Sequence, residues 1–152
     1  MKLQRPVRAT RSWVQHLHAA PSTVFPLLCP VRECEWVEGW DPRLVISGSG
    51  VAEPGCVFVT ADAHVESTWV VIEHDPVRFV VRFVKITPGS VATCVDIRLE
   101  PDGDGTAAHV TYSWTAIGDA GAAFVRDRTD TWWRGFMTEW EASLNRFLCQ
   151  PR

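Results

Sequence analysis

The sequence predicts an α+β domain in which an antiparallel sheet of about seven strands packs against a long C-terminal helix. Residues 43–117 consist of short alternating apolar segments separated by turn residues, which is typical of antiparallel strands. Residues 119–150 contain no proline, and their apolar side chains recur every three or four positions, which indicates a helix. The apolar face of the sheet needs a cover, and this helix is the one segment large enough to provide it.

The N-terminal part begins with a predicted strand over residues 8–19. Pro21 then favours the start of a short helix, because proline fits the first helical turn. Pro26 and Pro30 limit the length of that helix. A second short helix is expected over residues 31–36.

About six further strands follow, separated by Gly, Pro and Asp residues that favour turns. Residues 91–99 show the clearest alternation, with Val95 and Ile97 on one face and Asp96 and Arg98 on the other. The predicted strands cover residues 44–47, 56–61, 64–74, 77–86, 91–99 and 106–117. One apolar face and one polar face are expected for this sheet.

The C-terminal segment is predicted to form one helix of roughly 25–30 residues, about 40 Å long. Gly121 and Gly135 are its only weak points. No linker, repeat or low-complexity tract interrupts the chain. We therefore expect residues 1–152 to form a single domain, long enough to bury a sizeable core.

Composition and charge exclude several classes of function. The net charge is −3 and no run of Lys or Arg is present, so no nucleic-acid partner is expected. No apolar run approaches the roughly 20 residues that span a bilayer, and no apolar signal segment follows the N-terminus. A cytoplasmic location without a membrane span is therefore expected. The sequence contains no phosphate loop or dinucleotide fingerprint, and no cofactor is predicted.

Cysteine and aromatic residues give two further expectations. The five cysteines are an odd number without a Cys-x-x-Cys pair, which favours buried or half-buried free thiols over disulfides or a zinc ribbon. Eight Trp and seven Phe are more than a core of this size requires. The surplus suggests that some of these rings face a cavity or an exposed binding surface.

Several motifs occur in a recognisable order along essentially the whole chain. They are Ala20-Pro21-Ser22-Thr23-Val24-Phe25, Gly55-x-x-Phe58, Trp69-Val-Val with Asp75-Pro76, Gly105-Thr106, and Trp140-Glu-x-x-Leu144-x-x-Phe147-Leu148. Together with the element order they resemble the helix-grip (START-like, SRPBCC) superfamily. The segment from Leu27 to Trp40 is similar to a bacterial subgroup described only in general terms.

The resemblance implies a curved antiparallel sheet wrapped around the C-terminal helix, with two short helices after the first strand. Members of the superfamily include lipid and hormone binders, polyketide cyclases and dehydrases, and chaperone-associated domains. A ligand cavity between the sheet and the helix is the feature that the resemblance implies for this chain.

His16 and His18 lie two residues apart on the first strand and therefore share a face. The position of the Ala-Pro motif of the superfamily directs that face toward the cavity. The pair could contact the polar end of a ligand, or could be solvated or satisfied in the core. As a metal pair it would need a third ligand, for which His64, Glu33 or Cys34 are the candidates. No metal is predicted.

Glu33 lies three residues before Trp36, so a helix would place both on one face. A carboxylate against an indole in a dry pocket would have a raised pKa and could act as a general acid or base. The alternative is a salt bridge from Glu33 to Arg32, Arg43 or an arginine on a neighbouring strand.

The predicted ligand site combines these polar residues with large aromatic residues, while no catalytic residue is assigned. Trp13, on the opposite face from His16, is expected to pack outside the sheet or at a dimer contact. The complete predicted set is His16, His18, Glu33, Trp36, Trp40, Phe58, Trp69, Tyr112, Trp114, Trp133 and Phe136.

Three functions remain open at this level. The first is binding of a small apolar or amphipathic molecule, lipid-like or polyketide-like, between sheet and helix. The second is an enzyme of the polyketide cyclase or dehydrase type, which would need one well-placed acid/base group. The third is a protein-interaction module without a ligand. A homodimer is compatible with each of them.

Overall fold

A computed structural model describes residues 1–151. Its seven strands form one antiparallel sheet in the order β1-β7-β6-β5-β4-β3-β2. This agrees with the predicted number of strands and with their pairing as hairpins. The strands are β1 Arg8–Leu17, β2 Leu44–Ile46, β3 Val57–Asp62, β4 Val65–Asp75, β5 Val80–Thr87, β6 Val91–Asp102 and β7 Gly105–Ala116.

The segment after β1 is helical only in short pieces. Helix α1 spans Pro21–Val24, with the proline in its first turn, and a 3₁₀ turn at Phe25–Leu27 follows directly. The second short helix is a single 3₁₀ turn, Glu33–Glu35, rather than a helix over residues 31–36. Pro26 and Pro30 explain these limits, because each lacks the backbone donor that a continuing helix needs.

The C-terminal segment forms two helices, α2 over Asp119–Arg126 and α3 over Asp130–Leu148. The prediction of one unbroken helix is therefore wrong. The physical reason is a new N-cap, because the Thr129 hydroxyl accepts a hydrogen bond from the backbone N–H of Trp132 at 3.2 Å. Such a cap satisfies a backbone donor that would otherwise have no partner, and it fixes where α3 begins.

One face of the curved sheet packs on α3. On β6 the buried side chains alternate with less buried ones, as its sequence predicts. The corresponding helix residues are Trp133, Met137 and Leu144, each at most 3% exposed. Sheet and helix thus share one apolar core, and the fold has the α+β arrangement expected of it.

The strand β1 faces the opposite way from the prediction. Gln15 and Leu17 are buried, whereas His16 and His18 are exposed. Trp13, on the inner face with Gln15, packs against the core and not outside the sheet. The cause is the period of two in a strand, since an error of one residue exchanges the two faces.

The cysteines are free thiols, as predicted. Cys29 and Cys56 are buried, but Cys34, Cys94 and Cys149 are exposed, which differs from the expectation of buried or half-buried thiols. Within residues 1–151, no helix is both long enough and apolar enough to cross a membrane.

Candidate ligand-binding cavity

A cavity of about 180 Å³ lies between the sheet and α3. Strands β3 to β7 supply one wall, α3 supplies the opposite wall, and the segment around the 3₁₀ turn Glu33–Glu35 closes one end. The lining is apolar except for one carboxyl group and one phenol. The lining residues are Glu33, Val37, Trp40, Phe58, Trp69, Phe83, Val95, Ile97, Tyr112, Phe136 and Trp140.

Aromatic rings form the sheet side of this cavity. Phe58 and Trp69 stack with ring centroids 5.2 Å apart and planes inclined by 13°. They are direct partners across β3 and β4, so their side chains lie on the same face of the sheet. Trp40 and Phe83 meet this stack edge-on. Such contacts fix the ring positions and leave flat apolar surfaces toward the cavity.

Indole hydrogen bonds stabilise the segment around Glu33–Glu35 that closes one end of the cavity. Trp40 donates its Nε1–H to the carbonyl of Pro30 at 2.7 Å, and Trp36 donates to the carbonyl of Leu27 at 3.1 Å. These two bonds fix the conformation of the backbone between residues 27 and 40. That conformation places Glu33 at the cavity.

Glu33 lines the cavity, and its carboxyl group has no hydrogen-bond or ion-pair partner among residues 1–151. The arginines that could have neutralised it are engaged elsewhere. Arg32 pairs with Glu35, and Arg43 pairs with Glu66 at 3.6 Å. The salt-bridge alternative for Glu33 therefore does not apply.

Enclosure by protein changes the protonation of Glu33. Loss of hydration raises the pKa of its carboxyl group from 4.5 to about 8, so the group is mainly neutral at pH 7. Some of its surface stays accessible, because the side chain faces the cavity. Burial also raises the pKa of the Tyr112 phenol, and the nearby Glu33 raises it further. Both groups can thus donate hydrogen bonds into the cavity at neutral pH.

A second chamber of about 250 Å³ lies on the other side of Trp69 and Tyr112, which line both spaces. It is more polar than the first. Its lining consists of Asp62, Val65, Ser67, Trp69, Lys85, Thr87, Ser90, Val91, Thr93, Tyr112, Trp114 and Phe124. Trp69 and Tyr112 belong to both linings, so the two spaces are neighbours on either side of these side chains.

Lys85 is the residue of this region that the sequence analysis missed. Its ammonium group lies 4.8 Å from the centroid of the Trp69 ring, and burial lowers its pKa. The alternation of side chains along the strand could have identified it, because Val81, Phe83 and Lys85 are two residues apart in turn and therefore share the inner face of β5. A lysine on an otherwise apolar face is unusual and identifies a candidate functional group.

A groove of about 200 Å³ lies beside the first cavity at α3. It shares Val37, Phe136 and Trp140 with that cavity, and Glu38, Glu139 and Ser143 form its outer rim. The groove is the natural mouth, because its outer residues are polar and its inner residues are the apolar cavity lining.

The predicted site residues fall into three groups. Glu33, Trp40, Phe58, Trp69, Tyr112 and Phe136 line the first cavity, and Trp114 lines the second chamber. Trp36 and Trp133 line neither space. Trp36 stacks on Trp140, and Trp133 donates its indole N–H to the carbonyl of Ser12 at 3.1 Å. These two indoles have structural roles.

His16 and His18 form the third group, and the expectation that they face the cavity is wrong. The His16 Nδ1 lies 3.2 Å from a carboxylate oxygen of Asp102 on the outer surface. The His18 Nδ1 lies 3.6 Å from the Sγ of Cys149. A strand places alternate side chains on opposite faces, so both histidines are on the far side of the sheet from Glu33.

Solved structures similar to this one cover nearly the whole chain. Truncated norcoclaurine synthase from Thalictrum flavum matches with a TM-score of 0.70 at 12% identity, covering 100% of both chains. Ara h 8.0201 matches with a TM-score of 0.68 at 12% identity, covering 94% of this chain and 99% of its own. This chain has the helix-grip fold.

An uncharacterised protein from Rhizobium leguminosarum has the same fold, with a TM-score of 0.64 at 18% identity, covering 97% of this chain and 98% of its own. No protein-family model and no curated protein sequence matches the chain. At these identities the helix-grip likeness concerns the fold alone. The chemistry of the cavity has to be argued from its own residues.

Proposed function

We propose that this helix-grip protein binds a small aromatic or amphipathic molecule in the cavity between sheet and α3. The observation that carries the proposal is the Glu33 carboxyl group, which faces an aromatic cavity and has no hydrogen-bond or ion-pair partner among residues 1–151. Glu33 keeps some accessible surface, but loss of hydration still disfavours its charged form. A ligand that accepts a hydrogen bond from the neutral carboxyl group would give it a partner in the cavity.

The shape of the cavity favours a flat ligand body. Phe58 and Trp69 expose stacked ring faces, and Phe136 on α3 lies on the opposite wall. A volume of about 180 Å³ suits one ring or two fused rings rather than a long acyl chain. Polar specificity would come from Glu33 and Tyr112, which are both protonated at neutral pH.

One similar structure gives indirect support for this class of ligand. Norcoclaurine synthase from Thalictrum flavum in complex with dopamine and hydroxybenzaldehyde matches with a TM-score of 0.66 at 13% identity. A helix-grip protein can therefore hold small aromatic molecules. Transfer of that property to this chain is part of the proposal.

A second candidate function is an enzyme of the cyclase or dehydrase type, with Glu33 as the acid/base group. The observation that favours it is the pKa of about 8, which lies near neutral pH where a carboxyl group can both give and accept a proton. Binding and catalysis would use the same cavity. The two hypotheses differ in their expectation for Glu33→Gln. If the protein is an enzyme, this variant should lose turnover and keep its affinity for the ligand.

Binding can be tested with 1-naphthylamine, an uncharged probe of two fused rings whose fluorescence emission shifts in an apolar site. We expect saturable binding to the wild-type protein and strong weakening in Val37→Trp, since Val37 lies where the groove meets the cavity. Val31→Trp is the matched control, because Val31 is exposed on the same segment and lines neither the groove nor the cavity.

Two results would overturn the proposal. One is the absence of saturable probe binding, which would favour a protein-interaction module. The other is equal binding by the two variants, which would place the probe elsewhere. Native mass spectrometry of freshly purified protein adds an independent test, because a co-purified small molecule should be released from wild type and be absent from Val37→Trp.

A further inference from the structure

Two cationic side chains lie near the second chamber without an anionic side chain bound to them. Lys85 lines the chamber, and Arg128 is close enough for its charge to lower the pKa of Lys85. Neither forms an ion pair within residues 1–151. A fully exposed charge needs no ion pair, because water solvates it. These two groups are partly buried, so the lack of an ion pair costs free energy.

Lys85 projects from the inner face of β5 and is held against the Trp69 ring. The one acidic residue in the chamber lining is Asp62, whose exposed side chain raises the pKa of Lys85 without forming an ion pair with it. Ser67 and Thr87 bond each other at 2.8 Å. Their hydroxyls therefore add polarity beside Lys85 but no compensating charge.

Arg128 is held by aromatic faces and not by a carboxylate. Its guanidinium carbon lies 3.6 Å from the centroid of Phe124 and 4.1 Å from that of Trp132. Its Nε is buried and has no hydrogen-bond acceptor among residues 1–151. Phe124 also lines the second chamber, so the arginine lies directly behind the chamber wall. The Asp127 carboxylate acts on the Arg128 charge without forming an ion pair with it, so the guanidinium group still adds positive charge behind the chamber.

The first cavity, on the other side of Trp69 and Tyr112, has a different charge character. No cationic side chain among residues 1–151 lines it, so a ligand anion would gain no opposite charge there. An anionic group on a ligand is therefore favoured beside Lys85 over the first cavity.

We propose that the second chamber binds the carboxylate of an aromatic acid, with Lys85 as the cation that contacts it, Arg128 reinforcing the positive field, and the aromatic body reaching past Trp69 and Tyr112 toward Glu33. The inference rests on the proposed function, since it assigns a class and an orientation to the ligand whose aromatic body would lie in the first cavity. A monoanion fits, because Asp62 and Asp127 already partly offset the two positive charges.

The test compares 2-naphthoate with 2-naphthamide by isothermal titration calorimetry. The two probes have nearly the same shape and differ in charge. We expect wild type to bind the naphthoate about tenfold more tightly than the amide. Lys85→Met should remove this preference while changing amide binding less than about twofold, and Lys85→Arg should retain it.

Arg82→Met is the matched control, because Arg82 lies on the same strand but on its exposed outer face, paired with Glu73 and Asp96. It removes one positive charge without touching the cavity, and the preference for naphthoate should persist. A preference that survives Lys85→Met, or is lost equally in Arg82→Met, would overturn the inference. So would equal loss of both probes in Lys85→Met, which would indicate a merely structural lysine.

Failure of the inference is distinguishable from failure of the proposed function. If wild type binds the amide and the naphthoate equally well, the cavity binds aromatic molecules but has no carboxylate site at Lys85. If wild type binds neither of them, nor the uncharged naphthylamine probe, the proposed function is wrong and the inference falls with it.

Discussion

The side-chain amide of Asn145 on α3 donates a hydrogen bond to the backbone carbonyl of His16 on β1 across 2.9 Å. The Asn145 carbonyl oxygen also accepts from the backbone N–H of His18 at 2.8 Å, and Glu141 accepts from the backbone N–H of His16 at 2.7 Å. Strand β1 is an edge of the sheet and pairs only with β7. Side chains of α3 therefore act as partners for its free edge.

This arrangement predicts that Asn145→Ala destabilises the protein by about 1–2 kcal/mol, since it removes two hydrogen bonds that water can partly replace. The loss should be measured as a lower midpoint of urea unfolding. Arg134→Ala is the control, because Arg134 is exposed on the same helix and forms no ion pair within the described residues. Equal midpoints for the two variants would show that the edge contacts contribute nothing to stability.

The raised pKa of Glu33 predicts a specific dependence of stability on pH. Below about pH 4.5 the carboxyl group is protonated in both folded and unfolded chains. Between 4.5 and about 8 the folded protein keeps the proton and the unfolded chain loses it. The free energy of unfolding should therefore fall as pH rises, by up to about 1.4 kcal/mol per pH unit and roughly 3–5 kcal/mol in total.

Urea unfolding of wild type and Glu33→Gln at pH 5, 6, 7 and 8 measures this effect. Glutamine resembles the neutral carboxyl group and does not titrate, so the variant should gain stability relative to wild type as pH rises. Other titrating groups, such as His74 and Lys85, are common to both proteins and cancel in the difference. A difference that stays constant from pH 5 to pH 8 would mean that Glu33 ionises normally.

Much of the fold was predictable because each element has a strong local signal. The alternation on β6 and the turn residues around it identified strands and faces together. The break before α3 was missed, because a threonine can cap a helix or stand inside one, and no proline or glycine stands beside Thr129. Local periodicity cannot show where a helix is divided when both parts bury the same face.

The site was predictable only in part for a related reason. Glu33 and the aromatic residues stood out by residue type, whereas the face of β1 depended on a register that the sequence leaves ambiguous. Both faces of β1 carry large side chains, with Trp13 on one and His16 on the other. Hydrogen bonds from α3 fix which face is outside, and these join residues more than 120 positions apart. Lys85 was not predicted, because a charged residue near the end of a strand usually faces water, and only its register places it on the inner face of β5.

The two glycines of the C-terminal segment predict opposite effects of substitution by alanine. A Cβ at Gly121 would lie 1.8 Å from the backbone oxygen of Ser90, so α2 can approach the sheet only with glycine there. A Cβ at Gly135 would meet nothing within 4 Å. Gly121→Ala should therefore destabilise by more than about 2 kcal/mol, and Gly135→Ala should stabilise by about 0.5–1 kcal/mol.

Thermal unfolding of the two variants at one pH checks this pair, with wild type as the reference. The expected order of midpoints is Gly135→Ala above wild type and Gly121→Ala well below it. If Gly121→Ala unfolded at the wild-type midpoint, the close packing of α2 on the start of β6 would be wrong.

The ionisation of Glu33 also predicts how binding of an uncharged ligand depends on pH. The two-ring probe 1-naphthylamine should bind the wild-type protein with constant affinity from pH 6 to about pH 7 and then progressively more weakly as pH rises through 8, because a charged carboxylate in the cavity needs water that the probe displaces. We expect a loss of about tenfold by pH 9. Glu33→Gln should show little change over that range. Tyr112 titrates well above it and Lys85 is present in both proteins, so a matching decline in the variant would assign the effect to a group other than Glu33.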